Sequence, residues 1–181
     1  MKARGFSLIE LLVVIAIIGL LSSVVLATLN SARNRARDAA IQSNLATIRT
    51  QAELVYSIQG CYGDNDGSTT CADRLLSNHP CALAINADNT IFREPQVRPM
   101  IQAALAQGGL SACRATGGGA EWAIAVQLPS DESTAWCVDS FGTSAKLTIS
   151  GTPDQNGLDR SVNDANSSST GGQTMCNPNY Y

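Results

Sequence analysis

Histidine is almost missing from this chain: His79 is the single imidazole in 181 residues. A histidine-based nucleophile–base set, or a histidine-rich metal site, therefore lacks its material. No proline occurs before Pro80, and Gly19 is the lone glycine between Gly5 and Gly60. Almost nothing in the first sixty residues would break a helix. Charge is absent from Leu11 to Ala32, 22 consecutive residues dominated by Leu, Val, Ile and Ala. That run is long enough to cross a hydrocarbon layer, which argues against a wholly cytosolic globule. Basic residues are scarce beyond residue 49: residues 50–181 hold six Lys and Arg against thirteen Asp and Glu, whereas residues 1–49 hold six against two. The acidic outer part disfavours bulk electrostatic capture of nucleic acid.

Cysteine is confined to one side of the apolar run. Cys61, Cys71, Cys81, Cys113, Cys137 and Cys176 all follow it. Six cysteines in a small domain read as a disulfide framework in an oxidising compartment, with a pairing that spacing alone does not give. Zinc is the competing reading. It suffers because no two cysteines stand closer than ten positions and only one histidine is present.

The chain opens with Met1-Lys2-Ala3-Arg4-Gly5, then turns apolar at Phe6-Ser7-Leu8-Ile9-Glu10-Leu11-Leu12. A secretory signal shares the basic start but ends in a small-residue cleavage site and polar mature sequence. The small residues around Ala27-Thr28-Leu29 offer such a site, but neither a turn nor an abrupt polar change follows. The pattern continues instead: Ile41, Leu45, Ile48, Ala52 and Val55 recur at steps of four, three, four and three, one face of a helix. Gly60 is a natural stop. The spacing predicts one helix from about Phe6 to about Gln59, roughly 80 Å long at the usual rise. Its first half is apolar all round and its second half carries a stripe that needs a covering domain. Between the halves lie Arg33, Arg35, Arg37 and Asp38. They read as a solvated collar, or as contacts for lipid phosphates and for acidic patches of neighbours.

Glu10 stands out, because a carboxylate in a lipid-facing segment needs a partner, the helix N-terminus or a route to the headgroups. A cut after Gly5 would place a new α-amine on Phe6, four residues before Glu10 and on the same helix face. An ammonium–carboxylate pair, within one subunit or between neighbours, then becomes available.

The segment from Gly5 through Phe6 and Glu10 to Gly19 resembles the class 3 signal of type IV pilins and type II secretion pseudopilins. The match lies in the short basic leader, the Gly before the cut, a hydrophobic first mature residue and Glu as the fifth mature residue. It extends over about residues 4–30. The resemblance implies a leader at 1–5, cleavage between Gly5 and Phe6, and methylation of the Phe6 amine by a membrane prepilin peptidase and N-methyltransferase. It also implies pairing of Glu10 with a neighbour's N-terminus during assembly. The implied partners are copies of the chain and related pilins, an inner-membrane assembly platform and the lipid bilayer; no cofactor is implied. The implied location is a single-pass inner or cytoplasmic membrane, then a pilus or periplasmic pseudopilus. Lys2, Arg4 and the terminal amine barely outweigh the far-side arginines as an orientation signal. The cysteines point to a cytoplasmic N-terminus and an outer C-terminal domain.

The expected fold is α+β and pilin-like: a transmembrane half at 6–32, an amphipathic half at 33–59, loops with a short helix at 60–119, an antiparallel sheet at 120–150 and a polar tail at 151–181. Pro95 to Gln107 is expected to hold the short helix, with Val97, Ile101, Ala104 and Leu105 inward and Pro99 tolerated in its first turn. Gly117-Gly118-Gly119 reads as a linker, because no Gly-Lys-Ser/Thr follows. Trp122, Ile124, Val126 and Leu128 alternate with small or polar residues as a half-buried strand. Trp136 and Val138 mark a second strand, and Leu147 and Ile149 a third turned inward. Pilins commonly staple a C-terminal loop to the sheet, so the resemblance favours a Cys137–Cys176 bond. His79 reads as a loop residue. Asp64-Asn65-Asp66-Gly67 and Asp154-Gln155-Asn156-Gly157-Leu158-Asp159 offer oxygen ligands, but neither has the longer series of a calcium loop. A filament subunit is the leading reading, ahead of an anchored domain that does not polymerise. A surface-anchored enzyme is the least supported.

Overall fold

The computed structural model describes residues 7–63, 76–86, 90–115, 119–149, 151–163 and 176. Helix α1 (Leu8–Gln59) runs unbroken for 52 residues. It starts from Ser7 in extended conformation, and Gly60 ends it at φ 79° while its N–H donates to Tyr56 O at 2.7 Å. Only a residue without Cβ adopts that left-handed turn at no cost.

Five strands form one antiparallel meander in chain order: β1 (Leu76–His79), β2 (Ser111–Ala115), β3 (Trp122–Leu128), β4 (Asp131–Asp139) and β5 (Ser144–Thr148). Short helices α2 (Cys81–Ala84) and α3 (Arg98–Leu105) lie between β1 and β2, and α4 (Gln155–Asn163) follows the sheet. Pro99 sits in the first turn of α3, whose Ile101 and Ala104 are fully buried.

The stripe on α1 meets one sheet face. Ile41, Leu45, Ile48 and Ala52 are completely buried, together with Trp122, Ile124, Val126 and Val138 from the sheet and Ile101 and Phe92 from the connecting region. Each large aliphatic side chain so buried contributes roughly 1.5–3 kcal/mol. Neither helix nor sheet could hide its apolar face alone, so this layer docks the head onto the helix.

Four expectations change. The region 60–119 holds two strands as well as loops, and His79 lies in β1, where it pairs with Cys113 across the ladder. The tail contains a helix, α4. β3 is buried on both faces rather than one, because α4 and Cys176 cover the far side. Leu147 and Ile149 belong to that second layer, with Ala112, Ala123, Ala125, Ala135, Leu158 and Val162. The register explains the reversal: Leu147 pairs with Ala135 and Lys146 with Trp136, so Leu147 points away from α1. The alanines leave room for a helix to approach closely.

Candidate functional site

The first region to consider is the exposed end of α1. The Ser7 N–H donates to Glu10 Oε2 at 2.9 Å, so the carboxylate reaches back and satisfies one of the helix's unpaired N-terminal donors. Glu10 thereby has a partner within its own chain. Gly5 and Phe6 lie outside the described residues.

From Leu8 to Leu26 the helix is bare of the other described residues. Its best 18-residue window has a mean hydropathy of 2.8 and none of it is buried against the rest of the chain. Ile15, Leu20 and Leu26 are all more than half exposed. The polar groups here satisfy themselves: Ser23 Oγ donates to Leu20 O at 2.8 Å, and Thr28 Oγ1 to Val25 O at 2.9 Å. A segment built to meet lipid needs its hydrogen bonds closed internally, and this one closes them.

Polar clamps fasten the helix to the head beyond the collar. Asp38 accepts from both the backbone N–H of Ser130 (3.2 Å) and its hydroxyl, holding the β3–β4 turn. Arg49 donates to Gly142 O at 2.6 Å in the β4–β5 turn. Gly142 has φ 95°, a backbone that strains any side chain, and a Cβ there would lie 2.6 Å from the Arg49 guanidinium and displace it. Glu53 accepts from the Tyr62 hydroxyl at 2.8 Å. Burial raises the Tyr62 phenol above its ordinary value, and the Glu53 carboxylate reinforces the rise. Asp38 had been grouped with the arginine collar; the structure makes it a docking residue.

The tail is held through the same turn. Asp139 is fully buried, and its carboxylate accepts from Phe141 N at 3.1 Å, Thr143 N at 2.9 Å and Cys176 N at 3.1 Å. Cys176 is disulfide-bonded to Cys137, with Cα atoms 5.6 Å apart. A second bond joins Cys81 to Cys113 and ties α2 to β2. Cys61 is disulfide-bonded as well, and Cys71 lies outside the described residues. Residues 64–67 also fall outside them. Asp154 accepts from the Thr152 hydroxyl and Asp159 from Gln155 Nε2, both at 2.8 Å. Among the described residues no three His, Cys, Asp or Glu side chains gather to hold a metal ion.

Residues 1–26 match the family model of the prokaryotic N-terminal methylation motif. Over 76 residues the chain is 51% identical to the type IV wide pilus major component PilA4 of Thermus thermophilus. The chain thus carries an N-terminal methylation motif and is similar, over part of its length, to a type IV pilin. The aligned part is 42% of this chain and 53% of PilA4, so the chain spans about half the length of that curated relative. No solved structure matches it. Its long apolar N-terminal helix is suited to membrane anchoring.

Asp139 and Asp38 were the functional residues hardest to foresee. Asp38 sat among charges that read as a collar, and Asp139 at the end of a strand. Asp followed three positions later by Gly142 is a turn signal that would have suggested the second.

Proposed function

We propose that this chain is a subunit of a type IV pilus-like filament. It is cut between Gly5 and Phe6 by a prepilin peptidase, methylated at Phe6 and stored in the inner membrane with its head outside. An assembly platform then draws it out to polymerise through α1 with copies of itself or related pilins. The observation that carries this reading is the continuous helix, whose apolar half is covered by none of the described residues of the head while its second half is the head's spine. A lone membrane anchor has no need to continue as the core element of the outer domain. A bundle of such helices has that need, because it must fix each head to the fibre axis. Glu10 supports the same reading: among the described residues it holds a backbone N–H, a contact it can exchange for a neighbour's methylated amine.

The test combines mass spectrometry with shearing. Surface material sheared from cells should contain a chain beginning with methylated Phe6. An intact Met1 in the sheared pool would overturn the processing step. Absence of the chain from filaments, with processed chain retained in the membrane, would favour a pseudopilin or an anchored domain.

A further inference from the structure

The collar and the underside of the head form a cleft of about 310 Å³ where α1 leaves the head. Asn34 and Arg37 line it from the helix, Gly108 and Gly109 from the α3–β2 connection, and Glu132 from the start of β4. Its wall is closely built. A Cβ on Gly108 would come within 2.9 Å of Gln127 O and 3.2 Å of Ile41 Cδ1. Gln127 Nε2 donates to Glu132 O at 2.7 Å, and its Oε1 accepts from Leu110 N at 3.0 Å. These bonds hold the two loops a fixed distance apart. Arg37 and Glu132 face the cleft with opposite charges, and neither is in an ion pair among the described residues.

Depth identifies the occupant. The charge-free run ends at Ala32, and Arg37 lies five residues on, which is about 7.5 Å of helix rise. A headgroup layer is about 5–7 Å thick on each side of the hydrocarbon core. Arg33, one turn before Arg37 and on the same side of the helix, lies about 6 Å nearer the hydrocarbon, so Arg33 falls within the headgroup layer and Arg37 at its outer edge.

The geometry points to a phospholipid headgroup seated in this cleft in the membrane-stored subunit, and to a zwitterionic amine lipid such as phosphatidylethanolamine. The forked guanidinium of Arg37 matches the phosphate, with Arg33 adding charge from below. Glu132 matches the ammonium and disfavours a headgroup that carries only negative charge. The proposal rests on the membrane-stored subunit described above. It goes beyond that reading by giving the collar a lipid preference.

The full chain, extracted in mild detergent doped with equal amounts of phosphatidylethanolamine, phosphatidylglycerol and phosphatidylcholine, is examined by native mass spectrometry. One retained lipid is expected, with the ethanolamine form in excess. Arg37→Gln should lower retention by about fivefold, the change that corresponds to ~1 kcal/mol per cationic side chain at a lipid surface. Arg35→Gln, on the opposite side of the helix, should leave retention unchanged. Glu132→Gln should retain lipid but lose the preference for ethanolamine over glycerol. Equal losses in Arg35→Gln and Arg37→Gln would mean a diffuse collar and overturn the cleft. So would a photocrosslinker at Gln107 that joins a second copy rather than lipid. A chain released from membranes by alkaline wash refutes the membrane reading and the proposal together. A chain that stays in the membrane but carries no lipid refutes the cleft alone.

Discussion

Replacing both Cys137 and Cys176 by alanine should loosen one layer of the head and leave the other standing. The bond spans 39 residues. Closing a loop of that length lowers denatured-chain entropy by an amount worth ~4 kcal/mol at room temperature, with native strain or residual structure able to reduce it. The structure says where this loss appears. Cys176 lies in the second layer, beneath α4, whose Leu158 and Val162 are buried against alanines rather than large side chains. Small side chains bury little area, so this layer depends on its covalent tie more than the first does. The first layer holds Trp122, Phe92 and the stripe on α1 and does not include Cys176. Hydrogen exchange followed by mass spectrometry should therefore show residues 155–163 losing most of their protection, while α1 from Ile41 to Val55 retains it. The Cys81/Cys113 double alanine variant is the contrast. Its bond spans 32 residues and sits within the first layer, so its loss, of similar size, should lower the melting temperature of the whole head on the order of 10 °C. Unchanged protection of α4 in the Cys137/Cys176 variant, or uniform loss across the head, would refute the two-layer account.

Glu10→Gln should retain insertion and leader cleavage yet give few sheared filaments per processed subunit, and Glu10→Leu should insert at least as well without assembling better, since a carboxylate is costly in lipid; normal filament yield from both would defeat the assembly role. Asp38→Ala should cost roughly 1–2 kcal/mol by releasing the two donors of Ser130, seen as a lower melting temperature with an unchanged fold by circular dichroism. Gly108→Ala should destabilise the head by roughly 1–3 kcal/mol, because its methyl runs into Val126 and the Gln127 carbonyl; an unaltered melt would mean the cleft wall is more yielding than drawn. Burial and the Glu53 carboxylate hold the Tyr62 phenol above its ordinary value, so its contribution is fully present below the unfolded value and is lost as pH rises through the folded one. Head stability should thus fall with alkaline titration above about pH 10, and Tyr62→Phe should flatten that slope in a denaturant series.

The long helix was legible because its evidence is dense: no early proline, one glycine in fifty residues, a stripe at helical spacing and a glycine to end it. β3 and β4 were legible because Trp, Ile and Val mark their faces. The far side of the sheet was not, for a physical reason. Ala112, Ala123, Ala125 and Ala135 are too small to announce a buried face by hydropathy, although small size is what lets α4 pack there. α4 itself shows only Leu158 and Val162 one turn apart within a polar stretch, which reads as a tail. β2, Ser-Ala-Cys-Arg-Ala, has almost no strand preference of its own and is set by its neighbours β1 and β3. At the site, Glu10 could be picked out from sequence because charge is rare there; the Asp38–Ser130 and Asp139–Cys176 contacts could not, because their partners lie 92 and 37 residues away in the chain.

The clamps at Asp38, Arg49 and Glu53 are spread along 15 residues of one helix, about 22 Å. A fibre that is pulled along its axis loads the helix–head seam lengthwise. Contacts arranged in line with a tensile load share it and must give way together, whereas contacts met one after another would unzip. Asp38 fastens one hairpin, Arg49 the next, and the buried stripe fills the interval between them. Through Asp139 the second hairpin also grips the C-terminal strap. In the proposed filament, tension entering at the apolar half of α1 is thus passed to the sheet at several points and on to Cys176. A subunit wired in this way resists being stripped from its own spine, so a stressed fibre would part between subunits before any head came loose.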